Sequence, residues 1–335
     1  MKNEIKSPEL NELDWPAVLG RIEGFATSGT AKLQIAQLGP CRSKLEAERA
    51  LRKVFDAVEI LSTGKRPFME SLDFFEPWYA RVKKRAVLRV LEIRDVRTFC
   101  LEIIALDEVL KESRSEWAKE LRGMLMKAEE PVSAIDQILT PGGDIRSDAS
   151  ETLYRLTREK ENTARQVQTH LDRLVNDHQM QNYLQDKYVT TREGRWVLPV
   201  RSGSQHSVKG VIHGSSHTKQ TVFMEPEVVI PLNNRLRQVE VEIEDEIERL
   251  LEQLSHYLAG QSESFASSKQ VLLDADIGLA KAQWSALIRA QSFEFTDDEI
   301  TLNEVKHPML IANGKEPVSN SVRLTPEKSI LLLSG

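Results

Sequence analysis

Two long stretches of the chain repeat apolar residues at every third or fourth position among charged and amide side chains. The first seam consists of Leu153, Leu156, Ala164, Val167, Leu171 and Leu174, with Lys160 at one position of the same period. The second consists of Leu232, Leu236, Val239, Ile243, Ile247, Leu250, Leu254 and Leu258. This period predicts two amphipathic α-helices. Seams this narrow are typical of two helices packed on each other. Because an insertion separates the stretches, we expect antiparallel arms of ~45–50 Å each at ~1.5 Å per residue.

The insertion between the two predicted helices has a different pattern. Its β-branched and aromatic runs, at 188–191, 196–200, 208–212 and 221–224, are separated by clusters of glycine and serine. Short runs of this kind with such breaks predict a small β-meander. We therefore expect a compact sheet at the tip of a two-helix arm.

The segments on either side of the arm also follow a helical period, up to about residue 130 and again from about residue 262. Proline and glycine at 141–143 interrupt the first of them. We therefore predict a helical core (1–149, returning at 262–299), an outgoing lever arm (150–187), a β clamp (188–228) and a returning lever arm (229–261). The predicted fold class is mainly α.

The last residues predict a third kind of structure. Strands are expected at 301–302, 322–324 and 330–333, and the last run is apolar throughout, as in a strand buried on both faces. Ser334 and Gly335 follow it. A phosphate-binding P-loop follows a buried strand in this way, beginning at its first glycine. We expect 300–335 to be the first strands of an α/β nucleotide-binding domain, in a chain cut off before that loop is complete.

Composition narrows the classes of protein. The 335 residues are 40% hydrophobic and 29% charged, and no run approaches the ~18–20 apolar residues of a membrane-spanning helix. The first residues lack the apolar run of a secretory signal. We expect a cytoplasmic protein with no membrane partner, in which Cys41 and Cys100 are reduced thiols.

Charge is segregated along the chain. The net charge is −6, but residues 188–224 contain five basic side chains and one acid, Glu193, so that this segment is +4 and the rest is −10. The basic residues are Arg192, Arg195, Arg201, Lys209 and Lys219, and His206, His213 and His217 lie among them. Cations and hydroxyls contact phosphates. The pattern favours a grip on a nucleic-acid backbone; the alternative is a solvated strand edge that carries lysine against aggregation.

The sequence gives little support for metal binding or for catalysis. The histidines are seven and four residues apart, which fits no common metal signature. His213 and Ser215 lack the elbow and orienting acid of a nucleophile pair. Asp274 and Asp276, two apart on a predicted helix, face different ways. We predict no catalytic residue and no metal site.

The motifs of the insertion resemble those of one family. The chain has REGRWVLPV at 192–200, GVIHGSS at 210–216, TVFMEP at 221–226, LNN at 232–234 and KHPML at 306–310. In this order they resemble the second bacterial subfamily of MutS proteins, MutS-two, and the resemblance covers essentially the whole chain. One departure is Lys219, where the family usually has glycine.

The resemblance implies a function. Family members are homodimeric ATPases whose levers and clamps enclose DNA, and they lack the mismatch-reading domain of the repair proteins. It implies that this chain is the DNA-binding lever and clamp half of such an ATPase, acting on branched or recombination-intermediate DNA and restraining homologous recombination. An alternative is a ribosome-rescue factor that contacts ribosomal RNA on stalled or collided ribosomes. A purely structural coiled-coil protein is a third hypothesis.

The resemblance also implies site residues. The expected DNA-binding residues are Arg192, Arg195, Arg201, His206, Lys209, His213 and Lys219. The expected nucleotide-binding residues are Val318, Asn320 and Gly335. ATP and Mg²⁺ are expected for the full-length protein, together with a C-terminal Smr nuclease domain. This chain lacks the P-loop lysine and serine or threonine, so we expect no cofactor and no enzymatic activity from it alone.

Overall fold

The computed structural model describes residues 13–331. The chain divides into two compact units, one formed by Met1–Ile135 with Ser255–Gly335 and the other by Asp136–Leu254. Long helices predominate, with a four-stranded and a two-stranded antiparallel sheet. The prediction of a mainly helical fold is therefore confirmed. No described helix is long and apolar enough to cross a membrane.

The first unit is built from helices on the N-terminal side and from a long helix on the C-terminal side. Its helices are α1 (Trp15–Glu23), α2 (Gly29–Ala36), α3 (Lys44–Leu61), α4 (Phe75–Lys83), α5 (Val90–Glu112), α6 (Glu116–Met124) and most of α7 (Glu129–Ile138). Beyond the second unit the chain continues in α11 (Ser262–Leu287), β5 (Ile300–Val305), α12 (Pro308–Ala312) and β6 (Asn320–Leu324).

Aromatic rings fill the centre of the first unit. Trp78 lies with its ring centroid 5.6 Å from that of Phe99 and 5.3 Å from that of Phe265. All three side chains are buried. Because Phe265 belongs to α11, this cluster joins the C-terminal helix to α4 and α5, and burial of such rings is the main stabilising contribution here.

A buried carboxylate fixes α11 against the N-terminal segment. Asp276 is 0% exposed and accepts hydrogen bonds from the backbone N–H and the hydroxyl of both Thr27 and Ser28 at 2.8–3.2 Å. It also pairs with Arg66 at 2.6 Å. Asp274, two residues away, is exposed, as the helical period predicts. The role of Asp276 is therefore structural.

A second buried carboxyl makes the first unit sensitive to pH. Burial raises the pKa of the Glu102 carboxyl from 4.5 to about 7, although Ser71 donates hydrogen bonds to it. The folded state then binds a proton that the unfolded state has lost, so stability decreases as pH rises from about 4.5 through about 7. A shift of this size corresponds to about 3.4 kcal/mol. Because Glu102 is only partly buried and solvent screens its charge, we expect the free energy of unfolding to fall by about 2 kcal/mol across that window.

Urea titrations at several pH values measure this dependence. Replacing Glu102 by glutamine is expected to flatten the dependence between the two pKa values. A wild-type stability that rises across the same window would contradict the assignment. Glu108, an exposed residue of the same helix, supplies a control substitution to glutamine.

The second unit contains the two predicted arms. They are α8 (Glu151–Asn176) and α10 (Ile230–Ala259), the latter running on into the first unit. Lys160 pairs with Glu240 at 3.0 Å, and Ser150 donates to Glu246 at 2.6 Å. The residue number of the partner on α10 increases from 240 to 246 as the number on the α8 side decreases from 160 to 150. The two helices are therefore antiparallel, as predicted. A hydrogen bond from Arg249 lowers the pKa of Glu246 to about 2.

A short helix α9 (His178–Gln181) leads from α8 into the sheet, which consists of β1 (Thr190–Arg192), β2 (Arg195–Arg201), β3 (Gly210–Ser215) and β4 (Thr221–Pro226). All four expected strands are present, but their order is β1-β2-β4-β3, so the prediction of a meander is wrong. The 3-10 turn Ser202–Ser207 separates β2 from β3. This connection is too long for a tight hairpin, so β3 does not pair with β2. The strand that pairs with β2 is β4.

The sheet packs one face on the arm. Leu198 and Val200 of β2 and Met224 of β4 lie in one buried cluster with Leu171 of α8 and Leu236 of α10. Alternate residues of a strand point to opposite faces, so Arg195, Pro199, Phe223 and Glu225 belong to the other face. This alternation places the charged residues Arg195 and Glu225 on the same face of the sheet.

The C-terminal strands differ from expectation at one point. β5 and β6 pair as an antiparallel two-stranded sheet, which matches the predicted strands at 301–302 and 322–324. The buried strand expected at 330–333 is not seen in its described part, because Ile330 is 81% exposed and Leu331 is also exposed and outside any strand. The described residues contain no parallel sheet against which this run could pack. Residues 332–335 lie outside the described range.

Candidate nucleic-acid interface

One end of the four-stranded sheet gathers basic side chains. Arg201 ends β2 opposite Thr221, which begins β4, and the backbone N–H of Ser202 donates to the carbonyl of Gln220 at 3.0 Å. This pairing brings Arg201, the turn with His206, and the β3–β4 hairpin with His217 and Lys219 together. We call these four residues the basic end. All are exposed, and within residues 13–331 neither Arg201 nor Lys219 has a carboxylate within 4.0 Å.

The hairpin holds Lys219 at its tip. The N–H of Ser216 donates to the carbonyl of Thr221 at 2.8 Å, and that of Lys219 donates to the carbonyl of Ser216 at 2.9 Å. The backbone angle φ of Lys219 is 57°, which lies in the left-handed region that favours glycine. This accounts for the glycine that the resemblance led us to expect here, because glycine at this position would be less strained than lysine.

The opposite end of the sheet is electrically balanced. Lys209 precedes β3, and its carbonyl accepts the N–H of Glu227 at 3.0 Å. Arg192 and Arg195 flank the β1–β2 turn at the same end. Three acids, Glu193, Glu225 and Glu227, lie at this end, so that its formal charge is zero. Of the three cations, Arg195 is the one paired with a described carboxylate within 4.0 Å. The basic segment predicted from the sequence therefore divides into one end whose formal charges balance and one end whose named residues include cations and no acid.

A buried carboxylate organises the balanced end. Glu225 has a side chain only 2% exposed, and both its oxygens accept hydrogen bonds from Arg195, at 2.9 and 3.1 Å. His213 lies 2.6 Å from the same carboxylate, and the amide of Asn233 donates to it at 2.8 Å. We call Arg195, His213, Glu225, Asn233 and Asn234 the Glu225 cluster.

The cluster connects the sheet to the first turns of α10. Arg195 also donates to the side-chain oxygen of Asn234 at 2.7 Å. The side chain of Asn233 donates to the carbonyl of Trp196 at 3.1 Å and accepts from its N–H at 3.3 Å. Residues of β2, β3 and β4 are thereby tied to one helix. Since Nη1 and Nη2 of Arg195 and Nε2 of His213 are engaged here, these two side chains help to hold the sheet in place. Their expected role as DNA ligands stays a prediction.

Arg192 takes a third environment. Its guanidinium lies over the ring of Phe223, 4.0 Å from the centroid, and donates to the carbonyl of Thr191 at 3.0 Å. A guanidinium stacked on an aromatic ring keeps donors free at its edge. Arg192 is exposed, so it is available to a ligand at the balanced end.

Sequence reasoning did not assign a role to Glu225, Asn233 or Asn234. They stand inside the motifs TVFMEP and LNN, so their positions were visible. The usable signal was the alternation along β4, where a carboxylate stands between buried apolar residues and needs a partner. The partner, Arg195, is 30 residues away, and only the strand register shows that it faces Glu225.

The expected nucleotide-binding residues Val318 and Asn320 are both exposed in the described structure. Val318 is 83% exposed, and Asn320 is an exposed residue at the start of β6 whose side chain reaches only the Val318 carbonyl at 3.5 Å. Gly335 lies outside the described residues. An adenine site needs an enclosing pocket, which two exposed residues do not supply by themselves, so their contact with adenine stays a prediction. Across residues 13–331 no group of three metal-ligating side chains converges either.

Comparison with known proteins finds one kind of relative. The chain is 26% identical to a protein described as Endonuclease MutS2 from Halothermothrix orenii, over 99% of this chain and 43% of the relative. Proteins of the same description from Agathobacter rectalis and Aquifex aeolicus are 27% and 25% identical, over 96% and 98% of this chain and 41% and 43% of theirs. No protein-family model matches the chain.

These alignments extend along nearly the entire chain. It is therefore homologous to the proteins described as Endonuclease MutS2, and the resemblance drawn from its motifs is confirmed. The chain spans about 43% of the length of the curated relatives it matches.

Proposed function

We propose, from this homology, that the chain is the DNA-binding part of a MutS-like ATPase and that the basic end of its sheet grips the phosphate backbone of branched or recombination-intermediate DNA. The observation that carries the proposal is the pair of exposed cations, Arg201 and Lys219, at one end of the sheet. Each lies more than 4.0 Å from any described carboxylate. When cations of a protein bind phosphates, the DNA releases the counterions condensed on it, and this release is a large source of affinity for DNA.

The surroundings of the basic end suit phosphates better than bases. Ser204, Ser207 and Thr218 add neutral hydroxyl donors beside Arg201 and Lys219. Hydroxyls and cations contact backbone oxygens without reading sequence. Bases are read by long side chains on an element that enters a groove, whereas this end presents short turns. We therefore infer recognition of backbone geometry and not of sequence or mismatches.

The hydrogen bonds of the Glu225 cluster fix the position of the sheet on α10. If the arm rotates in the full-length protein, the sheet rotates with it, because Arg195 and Asn233 join strand to helix. Small rotations at the base of a rigid element become larger displacements at its far end. This chain would then contribute binding and transmission, and turnover would depend on the remainder of the protein.

The test is fluorescence anisotropy of the chain with a labelled four-way DNA junction and a matched duplex at several salt concentrations. The decisive variant is Arg201→Gln with Lys219→Gly. Glycine at 219 removes the charge and relieves the left-handed backbone, so weaker binding cannot be attributed to a strained turn. We expect about tenfold weaker binding, and a slope of log K against log salt smaller by about 1.8, that is about 0.9 for each lost phosphate contact.

The matched control neutralises Arg49 and Arg52, two exposed cations of α3 in the first unit. It changes the net charge equally and is expected to leave affinity and slope near wild type. A double variant of the basic end that binds like this control would contradict the proposal. Binding of the wild type to ribosomal RNA alone, with none to either DNA, would assign the same surface to a ribosomal ligand instead.

A further inference from the structure

The side of α8 that faces away from its buried seam carries four arginines. They are Arg155, Arg158, Arg165 and Arg173, all exposed. At 3.6 residues per turn their spacings of three, seven and eight place them within about 100° of one another, opposite the buried Leu156 and Val167. Glu151, at the first turn, is the one acid in that sector. We call this surface the arginine face.

Acidic residues at its margins neutralise it only weakly. Arg155 lies 3.8 Å from Glu159, and Arg158 lies 3.8 Å from Glu161. Glu159 is closer to Arg235 of α10, at 2.6 Å. Exposed pairs of this length contribute less than about 1 kcal/mol, so a phosphate can replace them at little cost.

The outward side of α10 has the opposite sign. Four acids, Glu244, Asp245, Glu248 and Glu252, are exposed along it. Their spacings of one, three and four residues keep them on one stripe, away from the buried Val239 and Leu250. Arg237 is the one basic residue in that sector, near the start of the helix. The two-helix arm therefore has a basic outer side on α8 and an acidic outer side on α10.

We propose that the arginine face of α8 is a second contact surface for DNA phosphates, so that the backbone follows α8 and avoids α10. This inference rests on the proposed function and extends it from the sheet to the arm. Arg155 and Arg173 are 18 residues apart, or ~27 Å along the helix axis, a length that spans about eight phosphates of one strand at 3.4 Å each. Asn162, Gln166 and Thr169 lie between the arginines as neutral donors.

A second copy of the chain could also be attracted, since the arginine face of one copy complements the acidic side of another. Stable protein interfaces need an apolar centre. Among the acids of α10 the exposed aliphatic side chain is Val241, and the sector between the arginines is polar. Planar guanidinium groups with five donors match phosphate oxygens well. The observations therefore favour DNA.

The test variant of α8 combines Arg165→Gln and Arg173→Gln. It is compared with two controls: the α3 double variant, and an acidic-side variant that combines Glu244→Gln and Glu248→Gln. All are measured by anisotropy on a duplex of about 30 base pairs, ~100 Å long, over a range of salt. We expect the α8 variant to bind about tenfold more weakly, with a slope smaller by about 1.8. The acidic-side variant is expected to bind as tightly as wild type or more tightly.

The outcomes separate this inference from the proposed function. If the basic-end variant loses affinity but the α8 variant matches the α3 control in affinity and slope, the arm contact is wrong and the sheet contact stands. If the wild type shows no salt-dependent binding, both fail. Sedimentation velocity of the same variants examines the second-copy alternative: an α8 variant that loses self-association but keeps its DNA affinity would overturn the inference.

Discussion

Replacing Glu225 by alanine is expected to destabilise the second unit by about 3–5 kcal/mol, the usual effect of removing one partner of a buried charge pair. The change leaves the guanidinium of Arg195, the ring of His213 and the amide of Asn233 without the carboxylate that each contacts within 3.1 Å. Unpaired buried donors retain their desolvation cost and gain nothing in return. We expect the contacts between the sheet and α10 to loosen before the arm itself unfolds.

Trp196 makes this effect measurable at one place. It is the one tryptophan of the segment 136–254, and its backbone contacts Asn233. Its indole resonance in NMR spectra, followed through a urea titration, therefore reports on the cluster apart from the first unit. The control is Glu227→Ala, which removes an exposed carboxylate two residues away. Equal midpoints for the two variants would mean that the cluster contributes little stability.

Replacing Asp276 by alanine is expected to destabilise the first unit by a similar amount, about 3–5 kcal/mol. This carboxylate accepts hydrogen bonds from four donors of Thr27 and Ser28 and pairs with Arg66. All of them approach a site that is 0% exposed, where water cannot replace the lost acceptor. Asparagine preserves the shape but turns one oxygen into a donor facing other donors, so Asp276→Asn is expected to be destabilising as well.

Asp274→Ala is the control, because Asp274 is on the same helix, exposed, and bonded only to Gln270 four residues away. Urea unfolding followed by far-ultraviolet circular dichroism and by the tryptophans of the first unit gives the two free energies. The interpretation requires Asp276→Ala to lower stability by several times more than Asp274→Ala. It is wrong if the two variants differ by less than about 1 kcal/mol, the scale of ordinary surface changes.

The sequence predicted the helices and strands well because their periods are local. The apolar seams define α8 and α10, and alternation with glycine breaks defines the four strands. The order of the strands was not predictable in the same way. It depends on the turn Ser202–Ser207, which carries β3 past the position beside β2.

The candidate site was predictable as a segment but not as a surface. Counting charges identified 188–224 as basic, yet the count stopped one residue before Glu225, the acid that engages Arg195 and His213. Which cations remain free depends on register. Arg201 and Arg195 lie at opposite ends of β2, and only the strand pairing shows that acids meet one and not the other.

Gly210, the first residue of the motif GVIHGSS, is a second feature that the sequence alone does not explain. Gly210 does not have a positive φ, and the residues around it in the sequence give no reason for glycine at this position. In the folded sheet a Cβ at this position would lie 2.1 Å from the backbone oxygen of Glu225, so any side chain would displace β3 from β4. This constraint arises between residues that are 15 apart, and it belongs to the assembled sheet.

The opposite signs on the two outer sides of the arm affect how an encounter begins. At physiological ionic strength the Debye length is about 8 Å, shorter than the ~10–12 Å diameter of one helix with its side chains. A polyanion near the arm therefore senses the nearer helix and little of the chain's net charge of −6. Approach along α10 meets Glu244 and Glu248 and is repelled, whereas approach along α8 is attracted. The arm would thus select the direction of loading through the association rate, before any close contact has formed.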